Sequence, residues 1–140
     1  MKRIVVGIDG SEQGWSALKR AAELARATGA SLQIAHVTAP SLPLAAEEYL
    51  PTARWVEAQE TYAQGLLREA VARVKDAGIE VEPVSKLGTP AETLADLAQA
   101  EEVTMAVVGH RGRNLAARLF VGSVADRLVQ ISPKPVLVVR

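Results

Sequence analysis

Five short apolar runs, each separated from the next by a segment of helical periodicity, constrain this chain more than any other feature of its sequence. The first, Ile4-Val5-Val6 with Ile8, predicts a buried strand over Lys2 to Ile8 that breaks on Asp9-Gly10-Ser11, residue types that make turns and helix caps. Trp15, Leu18, Ala22 and Ala25 then recur at helical spacing, and Gly29 stands where a helix-stopping glycine would. Leu32 to Val37 reads as the second strand, followed by a loop rich in proline and small residues from Ala39 to Pro51. A long helix is predicted from about Arg54, with Leu67, Ala70, Val71, Val74 and Ala77 on one face and Gly78 at its stop. Val81 to Leu87 alternates as a third strand, but Pro83 cannot donate to a ladder, which puts this strand at a sheet edge. Thr89-Pro90-Ala91-Glu92 has the order of a capping box with proline at the first helical position, and Leu94, Leu97 and Ala98 continue that helix. The fourth strand runs from Thr104 to Val108, a last helix carries Val124, Leu128 and Ile131 on one face, and after Ser132-Pro133-Lys134-Pro135 the fifth strand is Val136 to Val139.

Parallel strands need a crossover of about helix length, so this alternation specifies an open five-stranded parallel α/β sheet with helices on both faces and right-handed crossovers. At 140 residues the chain suits a single domain, 1–140, able to bury a core unaided.

Between the fourth strand and the last helix lies Gly109-His110-Arg111-Gly112, and nine residues later Gly122-Ser123 opens the helix. Two glycines three apart let main chain turn sharply and aim N–H groups at an anion, and a helix N-terminus offers free N–H groups together with its dipole. Arg111, Arg113 and Arg118 supply positive charge in the same stretch. Ser123, three residues before Asp126, also reads as an N-cap, and Asp9 as the cap of the first helix, so both residues have a local use as well as a ligand-directed one.

Ligands of open α/β sheets sit beyond the strands' carboxyl ends, where the strand order reverses. The order 3-2-1-4-5 puts the Pro83 strand at an edge and brings the turn after the first strand and the turn after the fourth to one crevice, with Val37 walling it from the other side. An anion cradle beside an apolar slot and a lone carboxylate suits a nucleotide, with Asp9 accepting from a ribose hydroxyl or a base amino group.

Charge and composition remove other classes. Sixteen basic residues cancel sixteen acidic ones and are spread along the chain, and aromatics are few, so nucleic acid is not an expected partner. Cysteine is absent, which excludes disulfides and thiolate sites. The first apolar run meets Asp9 too soon for a signal-peptide core and nothing approaches transmembrane length, so a cytoplasmic location without membrane contact is expected. His36 and His110 lack carboxylates at ligand spacing, so no metal site is expected of them, and without Gly-Lys-Ser or Gly-Lys-Thr the glycine stretch is not a P-loop.

The pattern Gly-x2-Gly-x9-Gly-Ser, together with the strand ending in Asp9 and Ser11, His36-Val37, Gly88-Thr89-Pro90 and the closing Lys134-Pro135-Val136-Leu137-Val138-Val139, resembles the ATP-binding branch of the universal stress protein family over nearly the whole chain. Thr104 stands where the family usually has aspartate, and Asn114 where it often has a small hydroxyl residue. The resemblance implies a Rossmann-like, adenine nucleotide alpha-hydrolase-like fold and ATP, accompanied by Mg2+, with phosphates and ribose at Gly109, Gly112, Gly122 and Ser123, beside which stand Arg113 and Val124 as further candidate binding residues, and with adenine near Asp9 and Val37. It further implies a nucleotide-dependent regulator of the stress response with protein partners. A slow ATPase or nucleotidyl transferase, and a nucleotide-free dimeric scaffold, are the alternatives from other classes. A homodimer through the fifth strand is expected in each case, because an edge of four apolar residues with no charge and no internal proline invites pairing with a second copy.

Overall fold

The structure is a computed structural model that describes residues 2–40, 53–111 and 122–140. Strands β1 (Arg3–Gly7), β2 (Ser31–Thr38), β3 (Val81–Leu87), β4 (Val103–Gly109) and β5 (Val136–Val139) alternate with helices α1 (Glu12–Thr28), α2 (Ala53–Val74), α3 (Pro90–Leu97) and α4 (Ser123–Ile131). All neighbours in the sheet are parallel and the order is β3-β2-β1-β4-β5, as the sequence implied. The proline-bearing β3 is an edge strand, its Pro83 opposite Ile34. The order reverses at β1, which pairs with β2 on one side (Val6 with Ile34) and β4 on the other (Val6 with Val107).

Alternation along the strands sends side chains to two cores. Ile4, Val6 and Ile8 meet Leu18, Ala21 and Ala25 of α1 and Leu66, Leu67 and Ala70 of α2 on one face. On the other face Val5, Ala35, Ala106 and Val108 meet Leu94 of α3 and Ala125 and Leu128 of α4. Placing β1 between two buried faces explains why its run is apolar throughout instead of alternating with polar residues.

Helix ends depart from the sequence reading in three places. Helix α2 stops at Val74, so Ala77 lies beyond it in a turn where its N–H donates to Val74 C=O at 3.0 Å, and Gly78, at φ 68°, supplies the left-handed residue further on. Thr89 is the N-cap of α3 but makes no side-chain capping bond, and Glu92 reaches instead to Arg127 of α4 at 3.1 Å, so the sequence of a capping box serves as a tie between two helices. Ser123 is not the cap of α4: the N-cap is Gly122, at φ −60° and ψ 155°, and Ser123 is the first helical residue. The final strand is secured from beneath by Lys134, whose ammonium donates to the main-chain carbonyls of Val103 at 2.6 Å and Ala100 at 3.2 Å. Thr104, where aspartate was expected, donates its hydroxyl to Arg3 C=O at 3.2 Å and so joins β4 to β1.

Candidate functional site

Three strand ends meet at the reversal of the sheet. Leaving β1, the chain turns through Gly10 at φ 84°, a left-handed conformation that favours glycine. Ser11 caps α1, its hydroxyl oxygen accepting from Gly14 N–H at 3.1 Å. Asp9 therefore does not cap the helix. Its Oδ1 holds the cap residue, accepting from Ser11 N–H at 3.0 Å and from the Ser11 hydroxyl, while Oδ2 makes no hydrogen bond among the described residues. One carboxylate oxygen is committed to local structure and the other is open to a donor from outside.

Glycine 14 is a residue that sequence reading passed over. A Cβ built there would lie 2.8 Å from Asp9 Oδ1 and 3.2 Å from Ser11 Oγ, so the first turn of α1 needs a residue without a side chain to seat the carboxylate. The available signal was a glycine inside a helix, where it costs about 1 kcal/mol relative to alanine and so calls for a local reason.

On the other side of the reversal, Gly109 ends β4 against the same helix. A Cβ at Gly109 would stand 2.8 Å from the carbonyl carbon and oxygen of Gln13, closer than real Cβ atoms approach. The next residue, His110, donates its N–H to Val139 C=O at 2.6 Å and accepts from Gly122 N–H at 2.7 Å. The first glycine of the motif is thus required by strand-to-helix packing, and the N–H of the third is already bonded to main chain. What remains available is the start of α4. Its first intrahelical bond runs from Asp126 N–H to Gly122 C=O at 2.9 Å, so the N–H groups of Ser123, Val124 and Ala125 precede the ladder and point out of the helix end with its dipole. Ser123 is exposed and its hydroxyl has no capping duty. Arg111, beside this opening, has a buried Nε with no hydrogen-bond partner among the described residues.

Val37, half-buried at the end of β2, packs with the α3/α4 core, whereas its neighbour His36 points to the α1/α2 side. His36 is buried and its Nδ1 lies 2.9 Å from Ile8 C=O. A carbonyl only accepts, so Nδ1 carries the proton and the ring ties β2 to the last residue before the Asp9 turn. The Tyr62 ring of α2 stands edge-on to this imidazole at 5.9 Å between centroids. His36 therefore has a structural role, and among the described residues no group of three or more His, Asp or Glu side chains is gathered as a metal site.

Of the residues singled out in the sequence, Asp9, Val37, Gly109, Gly122, Ser123 and Val124 all lie at the carboxyl end of the sheet around β2, β1, β4 and α4. Gly112 and Arg113, like Arg118 and Asn114, lie outside the described residues.

A parallel sheet whose strand-end turns and a helix N-terminus converge at the reversal of strand order defines the class of open α/β proteins that take ligands at a topological switch point. Within that class the chain belongs to the universal stress protein family, whose profile matches residues 1–140. Universal stress protein YxiE of Bacillus subtilis is 32% identical, with 99% of this chain and 98% of the relative covered. Universal stress protein UspA from Lactobacillus plantarum superposes with a TM-score of 0.86 at 25% identity, covering 99% of this chain and 97% of that one. A universal stress protein solved in complex with cAMP is 31% identical with a TM-score of 0.76, covering 99% and 97% of the two chains. Among the described residues no helix is long and apolar enough to cross a membrane.

Proposed function

We infer that residues 1–140 form one universal stress protein domain that binds ATP and works in the cytoplasm as a nucleotide-dependent regulator of the stress response. In this reading the phosphates lie alongside Gly109, Gly112 and Gly122 and take their hydrogen bonds from the N–H groups of Ser123 and Val124, with Arg113 adding charge, and Mg2+ arrives with the triphosphate. The adenosine portion lies toward Val37 and the free oxygen of Asp9. The observation that carries the reading is the juxtaposition at the switch point: three N–H groups at the start of α4 without a partner among the described residues, linked through Gly122 and His110 to the end of β4, on the same side of the sheet as a carboxylate with one oxygen that makes no hydrogen bond among them. The buried Arg111 Nε, without a hydrogen-bond partner among the described residues, supports an anion there. The complex of a relative with cAMP supports an adenine nucleotide as the ligand class. The protein acts as a homodimer through β5, and its nucleotide state sets which protein partners it engages.

Calorimetric titration of ATP into the unmodified protein and into Gly122→Val tests this. The backbone at Gly122 lies where any residue is allowed, so valine adds no backbone strain while placing a branched side chain beside the N–H groups of α4. Loss of ATP binding in a variant that melts normally is the expected result. Unchanged affinity would count decisively against the site, and absence of ATP binding by the unmodified protein would leave the dimeric scaffold.

A further inference from the structure

A second cavity, separate from the strand-end crevice, lies between α1 and α2 and measures about 550 Å³, within the range of roughly 300–1,000 Å³ typical of small-molecule sites. Its base is apolar, built from Leu18 and Ala22 of α1 and Val74 of α2, all buried. At its rim the Arg73 guanidinium lies over the Trp15 ring, 4.0 Å from the ring centre, and is oriented by Glu69 at 3.0 Å. The stack leaves a flat, amphipathic wall.

Charge decides what such a cavity holds. The lining carries Lys19, Glu23 and Arg26 on α1, Arg73 on α2 and Asp76 just beyond α2. Glu23 is engaged by Arg20 at 2.7 Å, outside the lining, whereas Lys19 and Arg26 have no carboxylate partner among the described residues. A surplus of one positive charge with two uncommitted cations suits one negative charge, and the carboxylate of Asp76 opposes a second. We propose that the α1/α2 cavity is a binding site for a small planar aromatic monoanion, an arene carboxylate, with its ring against the Trp15–Arg73 wall and the apolar base and its carboxylate met by Lys19 and Arg26.

This site is independent of the nucleotide reading and is tested on the full chain by ¹H–¹⁵N correlation spectra during titration with 2-naphthoate. Saturable shifts are expected at the Trp15 indole, Ala22 and Ala77. The uncharged 2-naphthalenemethanol should bind about tenfold more weakly, and so should 2-naphthoate to the Lys19→Glu, Arg26→Glu protein, the size two partly solvated ion pairs supply together. Both side chains are exposed, so the double variant keeps its fold, and Lys19→Gln with Arg26→Gln provides a milder second test. Shifts that fail to saturate or that cluster at Asp9, Gly109 and Ser123 would overturn the proposal. Equal affinity for the neutral analogue, or undiminished binding by either folded variant, would do the same.

Discussion

Replacing Gly109 by alanine separates what the motif does for the fold from what it does for a ligand. The added Cβ meets the carbonyl carbon and oxygen of Gln13, each at 2.8 Å, and Gln13 Cβ at 2.9 Å. Two of these three atoms are main chain of α1, so no rotamer change relieves the contact, and β4 and α1 must separate by about half an ångström to reach ordinary packing distance. Helix α1 is held at its start by the Ser11 cap and along its length by Ala17, Leu18, Ala21 and Ala25, all buried against the sheet. Overpacking against such a fixed surface costs about 1–3 kcal/mol, which for a chain of this size lowers the melting temperature by about 3–10 °C. The assay is a urea or thermal melt followed by circular dichroism, with an unchanged denaturant slope showing that the loss lies in stability and not in the unfolded state. An alanine variant that melts within about a degree of the unmodified protein would refute the close-approach argument. If that variant also lost ATP affinity, Gly109 would belong to the ligand and not to the packing.

Further outcomes follow from the same contacts. Asp9→Ala should lower stability by about 1–2 kcal/mol, because Ser11 loses the acceptor that holds it, and should weaken ATP by about 1.5–3 kcal/mol if the free oxygen meets the nucleotide. Asp9→Asn, which keeps an acceptor for Ser11, should lose ATP affinity in calorimetry while its melting point stays close to that of the unmodified protein. The carbonyls of Pro135, just before β5, and of Val139 accept from the N–H groups of Ala106 in β4 and of His110 just after it, at 2.9 and 2.6 Å, so alternation turns the N–H and C=O of Val138 toward the open edge. Val138→Pro should weaken a two-fold strand contact by about thirtyfold, two hydrogen bonds at about 1 kcal/mol each, in sedimentation velocity; a monomeric unmodified protein would end the dimer reading. The Arg127 bond, with the residue's own main-chain N–H, holds the Glu92 carboxyl below its ordinary value. Its stabilisation is therefore full above the ordinary carboxylate range and lost as pH falls through the lowered value. The stability difference between the unmodified protein and Glu92→Gln should shrink accordingly in melts taken from neutral pH to about pH 2.

The architecture was legible in the sequence because it rests on period and punctuation. Apolar runs of strand length, Gly29 and Gly78 at left-handed positions, and Pro83 at an edge each carry their reason in one residue or one spacing. The cluster of Asp9, Val37, Gly109, Gly122, Ser123 and Val124 was legible once strand order was inferred, since order alone decides which turns become neighbours. What escaped was division of labour. A serine before a helix does not reveal whether it caps, and here Ser11 does and Ser123 does not. Nor does a glycine in a ligand motif disclose that its missing side chain answers to a helix backbone some hundred residues away, or Gly14 that it makes room for a carboxylate: such reasons are tertiary distances.

The reversal of strand order at β1 also sets a timetable for the chain. Its partner β2 follows after one helix, but the first pairing with β4 joins Arg3 to Val103, and closing a loop of that length comes late relative to local contacts. During synthesis the β1-α1-β2-α2-β3 portion emerges complete while the backbone edge of β1 along Ile4, Val5 and Val6, which β4 later fills, has no strand to bond. The centre of the finished sheet is therefore an open edge of the nascent one, the kind of edge that invites pairing with another chain.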